Sequence, residues 1–227
     1  MGTLHIVSRS GDQFRDRQEA GQLLARELGK LRGQKAVVLG IPRGGVVLAR
    51  ELALALDADL DVVLARKLRT PGRVELAMGS VSEDGKLFLN EMVVQELGVN
   101  RTFIEKERAT QLEEIARRSE LIRKVAPKIP LAKRVVIVTD DGVATGATTQ
   151  AALWAARHED PARLIAAFPV APEDTLKKLA EAADEVVCLR VPHMFYAVGQ
   201  FYSRFEPVED SDVLELLRDE RARKVTR

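Results

Sequence analysis

Apolar residues along this chain follow two periodicities. Between Phe14 and Leu31, the residues Phe14, Ala20, Leu23, Leu24, Leu28 and Leu31 recur mostly at three-to-four spacing with charges between them, which predicts an amphipathic helix covering one face of a larger body. Ala36 to Ile41 is instead a short unbroken apolar run that stops at Pro42-Arg43-Gly44-Gly45, and a helical pattern resumes from Val46 to Leu56. The order is strand, glycine turn, helix. Similar runs return at Leu60 to Ala65, Val135 to Val138, Leu164 to Val170 and Val186 to Leu189, with helical stretches at Ala151 to Arg157 and Thr175 to Ala183 among them. Apolar, β-branched runs alternating with helices predict an α/β fold: an open, mostly parallel sheet with helices on both faces.

The stretch between the second and third runs is too long for a simple crossover. Val74 to Val81 and Lys86 to Leu89 read as two antiparallel strands joined through Glu83-Asp84-Gly85, a hairpin-turn signal. Beyond them Phe103, Leu112, Ile115, Ile122 and Ala126 lie near one helical face, and Pro127 and Pro130 end the pattern. We therefore expect a single domain over residues 1–227 with a helical insertion at 90–130. No repeat or low-complexity tract interrupts it.

Composition narrows the function classes. In 227 residues, 35 basic and 34 acidic side chains nearly cancel, which argues against a chain whose main partner is nucleic acid or an acidic membrane. The longest apolar stretch, Leu52 to Leu64, is broken by Asp57, Asp59 and Asp61, so no membrane helix is expected. Met1 to Arg17 lacks the apolar core of a secretory signal, and the single cysteine, Cys188, sits in an apolar strand where it reads as core; a cytoplasmic location is expected. Trp154 likewise reads as core, and His5 and His158 stand alone, without metal-ligand spacing.

The segment Val135-Val136-Ile137-Val138-Thr139-Asp140-Asp141-Gly142-Val143-Ala144-Thr145-Gly146-Ala147-Thr148-Thr149 carries the chemistry. A buried strand delivers two adjacent carboxylates to its carboxyl end, where open α/β sheets bind their ligands. A short Thr/Gly/Ala turn then opens a helix, a place where backbone N–H groups and hydroxyls converge on an anion. Carboxylates suit sugar hydroxyls and a hydrated Mg²⁺, and the loop suits a phosphate, so together they describe a phosphorylated sugar.

This pattern of four apolar residues, two acids and a Thr-Gly-x-Thr loop resembles the binding motif of type I phosphoribosyltransferases, which use phosphoribosyl pyrophosphate (PRPP). The resemblance implies that Asp140 and Asp141 hold the ribose hydroxyls, and that Ala144, Thr145, Gly146, Ala147 and Thr148 cradle the 5′-phosphate. It implies a pyrophosphate loop at Gly40 to Gly45, with Arg43 and Gly44 facing the anion, and basic partners Arg66 and Lys67 at the end of the second strand. Lys67, Asp140 and Asp141 would then be the catalytic residues, and Mg²⁺ would come with PRPP, meeting Asp140 and Asp141 through water. Leu68 to Glu75 resembles the flap that closes over PRPP in relatives, excluding water from a cationic sugar centre.

Of ten aromatic residues five fall between Phe195 and Phe205, where the family carries a variable hood over the acceptor base. By that resemblance residues 190–207 are the hood segment, and His193, Phe195 and Tyr196 are candidates to meet the acceptor. The whole chain is similar to a subgroup of predicted phosphoribosyltransferases whose acceptor is not assigned. One departure matters: the acid that hypoxanthine-guanine transferases carry before Thr-Gly is here Ala144, which cannot handle a proton, so the nitrogenous acceptor stays open. An exposed apolar hood or insertion would suit a homodimer. The alternative is a non-catalytic PRPP sensor, because residues 115–134 hold Arg117, Arg118, Arg123, Lys124, Lys128, Lys133 and Arg134 against one acid, Glu120. A third reading is a phosphosugar-binding module with another chemistry.

Overall fold

A computed structural model describes residues 2–71 and 73–225, with the side chains of residues 73–76 outside the description. In chain order the elements are β1 (Thr3–Ser8), α1 (Arg17–Glu27), β2 (Val37–Gly40), α2 (Gly44–Leu56), β3 (Asp59–Val62), β4 (Ala65–Thr70), β5 (Arg73–Ser82), β6 (Leu87–Leu89), α3 (Glu91–Glu96), α4 (Arg101–Val125), β7 (Val135–Thr139), α5 (Ala147–Arg157), β8 (Arg163–Val170), α6 (Glu173–Leu179), β9 (Glu185–Arg190) and α7 (Asp210–Val225). Six strands form one parallel sheet in the order β1-β9-β8-β7-β2-β3, and β4-β5-β6 form a separate antiparallel sheet. No helix among the described residues is long and apolar enough to cross a membrane.

Successive strand residues point to opposite faces, so each unbroken apolar run feeds two cores. Val38, Ile137 and Ile165 pack on one side with Leu24, Leu48, Leu52 and Phe201. Val37, Val136, Val138 and Phe168 pack on the other with Leu153, Leu176 and Cys188. Cys188 is fully buried and its thiol is pushed up to about 12 by that burial, which leaves it inert core.

Several expectations need correcting. The run from Leu60 to Ala65 is not one strand: β3 ends at Val62, the chain leaves the parallel sheet, and Ala65 starts β4 of the second sheet. Arg66 and Lys67 therefore lie on that second sheet, and the flap-like stretch from Leu68 is the β4–β5 hairpin, with Arg69 tied to Glu107 of α4. Gly72 and the side chains of Arg73, Val74 and Glu75 lie outside the described residues. Phe14 precedes the first helix rather than starting it. Asp16 caps α1 by accepting from Glu19 N–H, while Phe14 N–H donates 2.8 Å to Phe201 O and its ring lies 5.5 Å from Tyr202. Trp154 is half-buried and stacks at 4.5 Å on Phe88, joining α5 to the second sheet rather than filling the core.

Two elements had no expectation. β1 alternates exposed and half-buried residues because it is an edge strand held to β9 by backbone pairing. α7 is so charged that Val213, Leu217 and Glu220 are its only buried residues among those described.

α4 is fastened by a buried ion cluster. Arg123 donates to Asp61 Oδ1 on β3 at 2.6 Å and to both oxygens of Glu83 at 2.6 and 2.9 Å, and Asp61 Oδ2 accepts Ile129 N–H at 2.9 Å. Burial raises the Asp61 pKa above the usual carboxylate range, and Arg123 opposes that rise. Arg123→Met should therefore cost about 3–5 kcal/mol at neutral pH, as expected for a buried charge left unpaired. The loss should shrink in acid as Asp61 takes up a proton; denaturant melts across pH measure both.

Candidate functional site

Two loops meet at the carboxyl end of the parallel sheet because β2 and β7 are neighbours in register, Gly40 opposite Thr139. Ile41 N–H donates 2.9 Å to Thr139 O, and the turn through Pro42-Arg43 then leads directly into α2; the Pro42–Arg43 peptide is cis. This turn lies against the acid pair. A Cβ on Gly45 would stand 2.8 Å from Asp140 Cα and 2.8 Å from Thr139 O, and one on Gly44 would overlap Asp141 Oδ2. Glycine is required here by close approach.

The two carboxylates differ in their company. Asp141 Oδ2 accepts 2.8 Å from Arg17 Nε at the start of α1, and its backbone carbonyl accepts 2.6 Å from the Tyr202 hydroxyl. Asp140 Oδ1 accepts the Asp141 N–H at 2.9 Å. Burial first, then the neighbouring Asp141 charge, pushes Asp140 well above the ordinary aspartate range. Asp141 is also raised by burial, with Arg17 pulling the other way. Arg17 is itself fixed on three sides: Nη1 donates 2.7 Å to Glu206 O, and the guanidinium lies 3.9 Å over the Phe205 ring, which stacks on Tyr202 at 5.0 Å. Tyr202 falls in the aromatic cluster at 195–205, but nothing in the sequence pairs it or Arg17 with Asp141; only the tertiary contact does.

After the acids, Gly146 takes the left-handed conformation (φ 80°) and α5 begins at Ala147. Ala144, Thr145 and Thr148 are exposed, and Thr175 of α6 holds the turn by donating 2.8 Å to Ala144 O. The first N–H groups of any helix lack intrahelical acceptors, so this turn presents donors to an anion.

A cavity of about 360 Å³ lies beside both loops, lined by Pro42 and Thr148 from them, Arg66 and Lys67 from β4, and Glu114 and Arg118 from α4. Arg66 Nε donates 2.9 Å to Gln111, another α4 residue. Lys67 is half-buried. Arg43 extends instead toward α7, where Nη1 donates 2.9 Å to Glu209 Oε2. In the 190–207 segment, Val198 packs on the Gly142 position, so a short 3₁₀ turn (Val198–Phe201) stands over the acid pair's loop. His193 and Tyr196 are exposed, the latter 80%, whereas Phe195 is half-buried with its ring 5.2 Å from Phe201.

The basic run at 115–134 is largely paired within the chain. Arg118 meets Asp210, Arg123 meets Asp61 and Glu83, Lys124 meets Glu120, Lys128 meets Glu159, Lys133 meets Asp160 and Arg134 meets Asp59.

Comparison with known proteins bears on the family. The family model described as "Phosphoribosyl transferase domain" matches residues 10–206. Curated proteins from two strains of Mycobacterium tuberculosis, each named "Putative phosphoribosyl transferase", are 43% identical over 204 residues, which is 90% of this chain and 46% of theirs. The chain thus spans about half the length of these relatives. The crystal structure of TT1426 from Thermus thermophilus is similar with a TM-score of 0.87 and 44% identity, covering 91% of this chain and 98% of that one.

The electrostatics of the acid pair predict a trade between site and stability. Burial disfavours the ionised form of Asp140, so its charge costs stability above the ordinary aspartate range, and the cost vanishes as pH falls and the carboxyl is protonated. Asp140→Asn keeps the oxygen that accepts Asp141 N–H and should raise stability by about 1 kcal/mol, or roughly 2–4 °C in Tm, at slightly alkaline pH. Melting curves should show the gain disappearing toward acidic pH.

Proposed function

The chain belongs to the phosphoribosyl transferase domain family, and on that premise we propose that it transfers a 5-phosphoribosyl group from PRPP to a nitrogenous acceptor of the nucleobase class, releasing pyrophosphate. The observation that carries this reading is the contact of the Gly44-Gly45 turn with Asp140 and Asp141, beside the Thr145-Gly146-Ala147-Thr148 turn. Three kinds of group, diphosphate-sized, diol and monophosphate, are thus served within one short span.

In this reading Asp140 and Asp141, once ionised, accept from the ribose hydroxyls and fix the ring. Arg17 orients Asp141, and the N–H groups and hydroxyls at 144–148 hold the 5′-phosphate. The bond from C1 to the pyrophosphate oxygen breaks as the bond from C1 to the acceptor nitrogen forms, and the acceptor's proton leaves. Positive charge develops on the sugar and negative charge on the leaving group, so positioning and fixed charge supply the catalysis. Lys67 and Arg66, with the backbone of the 42–45 turn, stabilise the departing charge; Arg43 does so by exchanging Glu209 for the anion. Asp140 and Asp141 would hold a hydrated Mg²⁺ brought by the substrate, and that ion would neutralise pyrophosphate charge. His193 and Tyr196, exposed on the hood, are the side chains left to meet the acceptor, while Phe195 packs the hood itself.

The internal pairing of the 115–134 basic run supports an enzyme over a nucleic-acid-binding sensor. Mg²⁺-dependent pyrophosphate release, tested across purines, pyrimidines and other nitrogen acceptors, should be stimulated by one of them. PRPP binding without any acceptor-stimulated release would instead favour the sensor. Asp140→Asn with Asp141→Asn should reduce turnover by about 100-fold or more, as expected for losing two charge-assisted hydrogen bonds to substrate, while circular dichroism shows the fold retained.

A further inference from the structure

We propose that α4 contributes Arg118 to the pyrophosphate end of the site, with Asp210 of α7 as the counter-ion it exchanges for the anion. The proposal rests on the PRPP reading above and adds a residue from a helix outside both binding loops.

The first observation is one of helical phase. Gln111, Ile115, Arg118 and Ile122 follow each other at spacings of four, three and four, which places them on one face of α4. Gln111, Ile115 and Ile122 are buried, while Arg118 on the same face is half-buried, with 35% of its side chain exposed. An arginine is retained on such a stripe at a cost unless its charge meets a partner.

The second is its incomplete partnership. Arg118 Nε is buried and has no hydrogen-bond partner among the described residues. Asp210 Oδ1 lies 3.3 Å from it, so the charges pair while the N–H direction is missed. By contrast, Arg123 one and a half turns later satisfies its guanidinium on Asp61, Glu83 and the Ala126 carbonyl. The pairing with Asp210 is one that a better-aligned anion can displace.

The third is location. Arg118 lines the same 360 Å³ cavity as Pro42, Lys67 and Thr148, so it faces the space between the glycine turn and the start of α5. At ~30 Å³ for each water that volume has ample room for a diphosphate. Of the other charged groups in this lining, Glu114 lies 4.0 Å from Arg66 Nη2 and Arg69 Nε donates 3.0 Å to Glu107, so Arg118 adds a further cation to this wall. A cation at this wall, beside the Arg66 and Lys67 that the PRPP reading assigns to pyrophosphate, suits the doubly phosphorylated end of PRPP.

Calorimetry with inorganic pyrophosphate, ribose 5-phosphate and PRPP, each with Mg²⁺, tests this on the full chain. Arg118→Gln should weaken pyrophosphate and PRPP binding about 10-fold and leave ribose 5-phosphate unchanged, the unchanged ligand also reporting an intact fold. Asp210→Asn, which removes the competing carboxylate, should tighten pyrophosphate binding about 2–5-fold. Equal pyrophosphate and PRPP affinity in Arg118→Gln and the parent overturns the role of Arg118, with the PRPP reading intact. Weakened or unaltered binding in Asp210→Asn overturns the exchange. Failure of the parent chain to bind either PRPP or ribose 5-phosphate removes the underlying reading together with this one.

Discussion

The site depends on one constraint: β2 and β7 are parallel neighbours, and the loops that leave them have no space for a side chain between them. Backbone pairing from Val37 with Val136 to Gly40 with Thr139 sets the register, and the Ile41 N–H bond to Thr139 O carries it into the first residue of the turn. From there a Cβ at Gly44 or Gly45 would collide with the acid pair, so the two loops form one surface. A parallel sheet buried on both faces resists slippage, since a shift by one residue would exchange the contents of its two cores. The precision of the site is inherited from that register.

Charge is concentrated on this surface at a cost to the fold. Burial raises the proton affinity of both carboxylates and the Asp141 charge raises that of Asp140 further; Arg17 relieves Asp141 by a direct hydrogen bond, and Asp140 accepts the Asp141 N–H. Arg17 is in turn gripped by Glu206 O and Phe205, so the segment after β9 controls the charge state of an acid at the end of β7. The same segment also reaches this loop through the Tyr202 hydroxyl on Asp141 O and through Val198 against Gly142. Groups strained in this way are commonly functional, because a ligand that supplies hydrogen bonds or a cation recovers what burial removed.

The second sheet and α4 build the other wall of the cavity, and the start of α7 pairs with Arg118 in that wall. Arg123, clamped between β3 and the turn after β5, holds α4 in place, and Arg118 on the same helix then faces the cavity. The carboxylates of Glu209 and Asp210 at the start of α7 stand on Arg43 and Arg118, two guanidiniums from otherwise separate parts of the chain. Acidic residues are favoured at a helix N-terminus for reasons of their own, so these serve helix and site together.

The parallel sheet, its glycine turn, the acid pair at the end of β7 and the turn into α5 were legible in the sequence because each depends on neighbours in the chain: apolar runs, glycine at a tight turn, carboxylates at a strand's end. The hairpin at Glu83-Asp84-Gly85 was legible for the same reason. What tertiary structure decided is where distant segments meet. The run from Leu60 divides between two sheets because backbone partners, Val37 to Gly40 for β3 and β5 for β4, end the one and begin the other. β1 and α7 escape notice because an edge strand and a charged surface helix bury too little for periodicity to register. Tyr202 falls in the aromatic cluster and Arg118 in the basic run, but nothing local to them or to Arg17 names a partner: hydrogen bonds across 124 and 61 residues, and an ion pair with Asp210, supply those. Sequence determines which chemistry the chain carries, since that is fixed by residue type and local geometry; only packing determines which charges stand against it, since that depends on contacts between segments far apart in the chain.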